Sequence, residues 1–195
     1  MARTSHVKRS TSETQIEVSL NLDGSGMQDI KTPIPFLDHM LSQLAKHVYF
    51  DLTVKAQGDT QIDFHHTVED VGIAVGQAFK EALGEKKGIR RFAEASSPLN
   101  EALAQCVIAI SGRAFFVFNV ELPKSKIGEF DVELVSEFFQ AFSANSGTTL
   151  HLNSPYWSNL HHIVEALFKA FARALDSACS IDSRTSDIPS TKGTL

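Results

Sequence analysis

With 195 residues, 43% of them hydrophobic and 21% charged, the chain can bury one substantial core or two small, closely packed halves. A formal net charge of −5 with no sustained Lys/Arg run argues against nucleic acid as the main partner, although a few local cations would suffice for a small anionic substrate. No segment approaches the ~20 apolar residues that cross a bilayer, and the polar start MARTSHVKRSTSE lacks the apolar stretch of a secretory signal. No membrane partner is therefore expected, and the expected address is cytoplasmic. Cys106 and Cys179 are far apart and outside any CxxC spacing, so both read as buried small hydrophobes.

Residues 14–22 (TQIEVSLNL) alternate polar and apolar, with Ile16, Val18, Leu20 and Leu22 on one face of a half-buried strand. A DGSG turn leads to a short strand through 29–31. The prolines of TPIPFLDHM end an extended entry, and a helix is predicted over about 36–48. Leu37, Leu41 and Leu44 form its apolar face, while His39, Gln43 and His47 recur at i, i+4 and i+8. Such a polar stripe is ordinarily a solvated face, but its nearness to the phrase that follows makes it a site candidate. After a strand over 50–56 and a Gly58-Asp59 turn, DFHHTVED opens a helix to about residue 83. GEKKGIRRF, with two glycines and four basic residues, reads as a solvated loop.

The second half replays this order. EALAQCVIAI and RAFFVFNVEL are strands across a Ser111-Gly112 turn, a helix is predicted over about 132–142, and TTLHLN is a strand carrying His151. NLHHIVEA then opens the last long helix, to about residue 178. Strand, strand, helix, strand, helix thus occurs twice, predicting a duplicated α+β domain of two sheets and a helical layer. The quasi-repeats are placed at about 1–92 and 93–180. The tail, 181–195, is polar, and its Ser190-Thr191-Lys192-Gly193 has the makings of an anion cradle.

The two phrases carry the chemistry. DFHHTVED supplies His65, His66 and Glu69, and NLHHIVEA supplies His161, His162 and Glu165; both read His-His-x-x-Glu. At about 100° per helical residue, adjacent histidines diverge while the glutamate shares a face with either. One ion per phrase fits poorly, and two ions, each drawing on both phrases, fit better. Imidazole with carboxylate suits Mn, Fe or Zn, and six-coordination favours Mn or Fe. A single pair of histidines could be merely a polar helix start, but this phrase occurs twice in a chain with eight histidines. The repeat is broken at the site, with His39 on a helix in one half and His151 on a strand in the other.

FLDHM, DFHHTVED, SGR, HH-x-x-E-x-x-FKA and PSTKG occur here in the order, and at roughly the spacing, of the imidazoleglycerol-phosphate dehydratase family, which the sequence resembles from Arg3-Thr4 to Gly193. The resemblance implies a fold of the ribosomal-protein-S5-domain-2-like kind. It also implies an enzyme of histidine biosynthesis that converts D-erythro-imidazole-glycerol phosphate to imidazole-acetol phosphate. Two Mn ions per site and a 24-subunit particle with sites shared between subunits are implied with it. The implied metal ligands are His39, His65, His66, Glu69, His151, His161, His162 and Glu165. Glu13, Gln43, His47, Arg91, Arg113, Lys169, Ser190 and Lys192 match substrate-contacting positions. Arg91, Arg113, Ser190 and Lys192 would hold the phosphate, where guanidinium forks and a point charge match a dianion.

The hydrogen lost from C2 is not next to a carbonyl, so direct abstraction would demand a very strong base. Coordination of the substrate imidazole would acidify its ring N–H, and the imidazolate could expel the C3 hydroxyl before the C2 proton leaves. The acid/base work is assigned to Glu13, with His47 or a metal-bound water as second candidate, and Lys169 to orienting the hydroxyls. Asn100, Ala109, Ala114 and Trp157 depart from the family pattern, and the lost acidic groups put support of the metal ligands in question. The rival readings are a metal-dependent hydrolase and a metal-stabilised cage. The first would release inorganic phosphate or cleave an amide; the second would leave Arg91, Arg113 and Lys192 without a purpose.

Overall fold

Each half of the chain builds the same sheet. The computed structural model describes residues 2–195; Met1, the first residue of the polar start and of the first predicted repeat, lies outside them. The first half runs β1 (Thr4–Ser10), β2 (Thr14–Asn21), β3 (Gln28–Lys31), α1 (Pro35–Val48), β4 (Asp51–Gly58) and α2 (His65–Leu83). The second runs β5 (Phe92–Leu99), β6 (Ala102–Ile110), β7 (Phe115–Asn119), the short β8 (Lys126–Ile127) and β9 (Phe130–Asp131), α3 (Leu134–Ser146), β10 (Thr148–Tyr156) and α4 (Leu160–Cys179). The sheet orders are β1-β2-β4-β3 and β5-β6-β10-β7, each with two antiparallel pairings and one parallel edge. Val18 pairs with Val54 as Cys106 pairs with Leu152. The β8–β9 hairpin is an insertion of the second half.

Period-two alternation buries Ile16, Val18 and Leu20 of β2 and Cys106, Ile108 and Ile110 of β6, leaving the other face of each sheet outward. The helices fill the space between the inner faces. α2 packs on β1 and β2, α4 on β5 and β6, and the helices cross between halves, α1 against α4 and α2 against α3. Phe138, Phe139, Phe142, Phe168 and Phe171 interlock along α3 and α4 with ring centroids 4.8–5.4 Å apart. Each fully buried ring contributes about 1.5–3 kcal/mol.

The order strand, strand, helix, strand, helix is present with strands added to it. β1, in the segment read as a polar start, is an edge strand with Val7 alone buried, and β5 follows directly on the basic loop. Weak alternation on an edge leaves little pattern to read. Cys106 and Cys179 are buried and unpaired, as expected. No helix among the described residues is long and apolar enough to cross a membrane.

Candidate metal centre and substrate site

Helix α1 starts at Pro35, with the Asp38 carboxylate accepting from Thr32 N at 2.9 Å, and this entry sets the phase of its polar stripe. Helix α4 is capped by Asn159, whose Oδ1 accepts from His162 N at 3.2 Å. Where the two helices meet, the stripe His39, Gln43, His47 faces a stripe of period four on α4: His161, Glu165 and Lys169.

Three donors converge here: one ligand atom each from His39, His161 and Glu165 lies within 4.8 Å of the others. The Glu165 carboxylate is 3.1 Å from His39 Nε2, 3.2 Å from His161 Nε2 and 2.6 Å from Lys169 Nζ. Burial alone would raise the Glu165 carboxyl, but its hydrogen bonds to Lys169, His39 and His161 outweigh it and hold the group below the usual range. Phe36 closes one side, edge-on to His161 at 5.4 Å and 5.0 Å from Phe130 of the inserted hairpin. Next along α1, His47 Nε2 lies 3.2 Å from Gln43 Oε1. Burial and then the Lys169 charge push the His47 imidazole below its ordinary value, favouring the neutral ring. Two imidazoles and a carboxylate within one ion's reach, partly open to solvent, fit a borderline divalent cation with positions left for other ligands.

The first phrase is arranged differently. His65 Nε2 stands 3.8 Å from Glu69, but no third donor joins them among the described residues. The adjacent histidines do diverge, their rings nearly perpendicular in both phrases, at 89° and 81°. His66 Nδ1 donates to Asp59 at 2.9 Å and lies 3.9 Å from Glu13. The Asp59 hydrogen bond raises the His66 pKa against the opposing effect of burial. In the second phrase His162 Nδ1 donates to Glu101 at 2.9 Å, and that bond holds the Glu101 carboxyl down at about 2. Among the described residues of a single chain, His39 meets donors of the second phrase, and no donor of the first phrase joins that cluster.

Arg91 and Arg113 lie next to the tail that carries Ser190 and Lys192. Arg91, at φ +74°, stacks 4.5 Å over Phe92 and donates from Nη1 to the Pro189 carbonyl at 2.7 Å. Its Nε is buried without a partner, an unsatisfied cationic donor. Ser190 Oγ accepts from Lys192 N at 3.2 Å, and Leu195 lies against Gly112, beside Arg113. His151 points from β10 to the outer face of its sheet, alongside Phe92 and Val107. Asp59 and Glu101 were not singled out from sequence. The available signal was positional: Glu13 and Glu101 each immediately precede the second strand of their sheet, β2 and β6. Asn100, where an acidic residue was expected, occupies the hairpin tip at φ +49°, a conformation asparagine tolerates. Trp157 packs half-buried against the core.

A twice-built α+β frame with imidazole, carboxylate and ammonium groups on one helical seam has the make-up of a metal-dependent enzyme. The family model for imidazoleglycerol-phosphate dehydratase matches residues 32–175. Imidazoleglycerol-phosphate dehydratases of Trichlorobacter lovleyi and Geobacter sulfurreducens are 57% and 58% identical, each over the whole of both chains. The crystal structure of the Staphylococcus aureus enzyme superposes with a TM-score of 0.83 at 38% identity, covering 92% of this chain and 99% of that one. That of the Pyrococcus furiosus enzyme gives 0.84 at 34%, covering 97% and 100%. The chain belongs to the imidazoleglycerol-phosphate dehydratase family.

Proposed function

We propose that the chain removes water from D-erythro-imidazole-glycerol phosphate to give imidazole-acetol phosphate, using two divalent ions per site, with Mn(II) the expected metal. As a member of its family it is a carbon–oxygen lyase, a dehydratase of histidine biosynthesis. The observation that carries the metal reading is the convergence of His39, His161 and Glu165 on the α1–α4 seam. His65, His66, Glu69, His151 and His162 complete the proposed ligand set. The cations would supply Lewis acidity toward the substrate's ring nitrogen, making its N–H easier to lose.

The chain's own groups do the rest. Glu13, at a hairpin tip 3.9 Å from His66, is free to take the C2 proton, and His47, whose pKa burial and Lys169 lower, is a second acid/base candidate. Lys169, held 2.6 Å from Glu165, and Gln43 orient the hydroxyls. Arg91, with its unsatisfied Nε, joins Arg113, Ser190 and Lys192 in holding the phosphate. On this reading the chain is one domain of two quasi-repeats, 1–92 and 93–180, with 181–195 as a substrate-binding tail.

His65 and Glu69 lack a third donor within the chain, and His151 looks outward from the second sheet. Both facts support sites completed by another copy, in a 24-subunit particle working in the cytoplasm. Incubating the Mn-loaded protein with the substrate should give an ultraviolet-absorbing ketone and no inorganic phosphate. Phosphate release, or an unchanged substrate, would overturn the reading.

A further inference from the structure

The two halves hold equivalent glutamates at equivalent places and use them differently. Glu13 precedes β2 and Glu101 precedes β6, each the second strand of an identically ordered sheet. Both lie beside the second histidine of a phrase, yet Glu101 contacts His162 Nδ1 at 2.9 Å while Glu13 stays 3.9 Å from His66 Nδ1.

Asp59 accounts for the difference. Its Oδ2 accepts a hydrogen bond from His66 Nδ1 at 2.9 Å, its Oδ1 is buried without a partner, and its N–H donates to the Glu13 carbonyl at 3.1 Å. One residue thus fills the hydrogen-bonding place at His66 and anchors the hairpin tip that carries Glu13. The second half has no such carboxylate. Ser154-Pro155-Tyr156 ends β10 and Trp157-Ser158 leads on to the second phrase, and Glu101 reaches His162 itself while its Oε1 accepts from Asn159 N at 2.8 Å.

We propose that Asp59 and Glu101 are the positioning residues of His66 and His162, and that Asp59, by relieving Glu13 of that task, leaves one of two equivalent glutamates free for proton transfer. This rests on the two phrases being metal ligands. A carboxylate can only accept, so it fixes the imidazole proton on Nδ1 and turns the Nε2 lone pair toward a cation. Loss of such an outer partner typically costs about 10–100-fold in metal affinity.

Glu101→Gln tests the idea without removing the hairpin's other contact, because the amide keeps an oxygen for Asn159 N–H. Its NH₂ would face Nδ1 as a donor and favour the tautomer with the proton on Nε2. Equilibrium dialysis of the full chain against Mn(II) should show affinity weakened about 10–100-fold in Glu101→Gln and Asp59→Asn, largely recovered in Glu101→Asp, and unchanged in Glu13→Gln. A purely structural role for Glu101 predicts wild-type affinity in Glu101→Gln, which would overturn the proposal, as would equal weakening in Glu13→Gln. If His66→Ala and His162→Ala also bind Mn(II) as the wild type does, it is the ligand assignment that fails.

Discussion

The two cross-half helix seams share a frame and differ in their contents. Where α1 crosses α4, the fifth residue of α1 is His39, and it meets Glu165. Where α2 crosses α3, the fifth residue of α3 is Phe138, fully buried, and Glu69 has no imidazole opposite it apart from its own helix's His65. Gly72 and Gly76 then draw α2 onto the α3 backbone, with no room for side chains between. One seam was kept open and polar, the other closed and apolar. If His65 and Glu69 at the closed seam bind an ion, its remaining donors must come from outside this seam, so the difference between the seams also bears on assembly.

The largest expected effect comes from removing the group that distinguishes the first phrase. Glu13→Gln should cut turnover by about 10²–10⁴-fold, the usual worth of general acid–base catalysis, with metal content by elemental analysis unchanged. Turnover within a few-fold of wild type would move the proton chemistry to His47 at the open seam. Next in size is removal of the metal. If the closed seam's donors share their ion with another copy, binding energy feeds association by linkage. Chelation should then shrink the particle in light scattering, and readdition of Mn(II) should restore it. A particle of constant size would mean that each chain completes its ligand sets alone.

Much of this was legible in the residues, for reasons that also mark the boundary. The phrases could be read because a helix converts spacing into a shared face, and the stripe His39, Gln43, His47 followed the same period. That α1 would turn this stripe toward α4 was not legible, because which helices meet is decided by sheets whose pairings are far apart in sequence. Glu101 carries no local signal because its partner His162 is 61 positions away, and only its equivalence to Glu13 points to it. Gly58-Asp59 reads as a turn, and nothing in it discloses that a carboxylate there is 14% exposed and faces an imidazole. The tail read as an anion cradle from composition, but its contact with Arg91 came only with the structure.

The smallest effect separates the seams by packing alone. Alanine is the better helix former, by about 0.8–1 kcal/mol, so Gly72→Ala in the middle of α2 would stabilise the protein were the helix isolated. A Cβ on Gly72, however, would stand 2.7 Å from the Phe138 carbonyl oxygen and 2.9 Å from the Ala141 Cβ. Neither can rotate away, since one is backbone and the other is a side chain of a single carbon. Forced separation of packed elements costs about 1–3 kcal/mol, which outweighs the propensity gain and leaves a net loss of up to roughly 2 kcal/mol. A urea midpoint lowered accordingly, with an unchanged slope, would show that close approach holds α2 to α3. A midpoint at or above wild type would show slack in that seam, and the presence of Phe138 where α1 carries His39 would then need a cause other than lack of space.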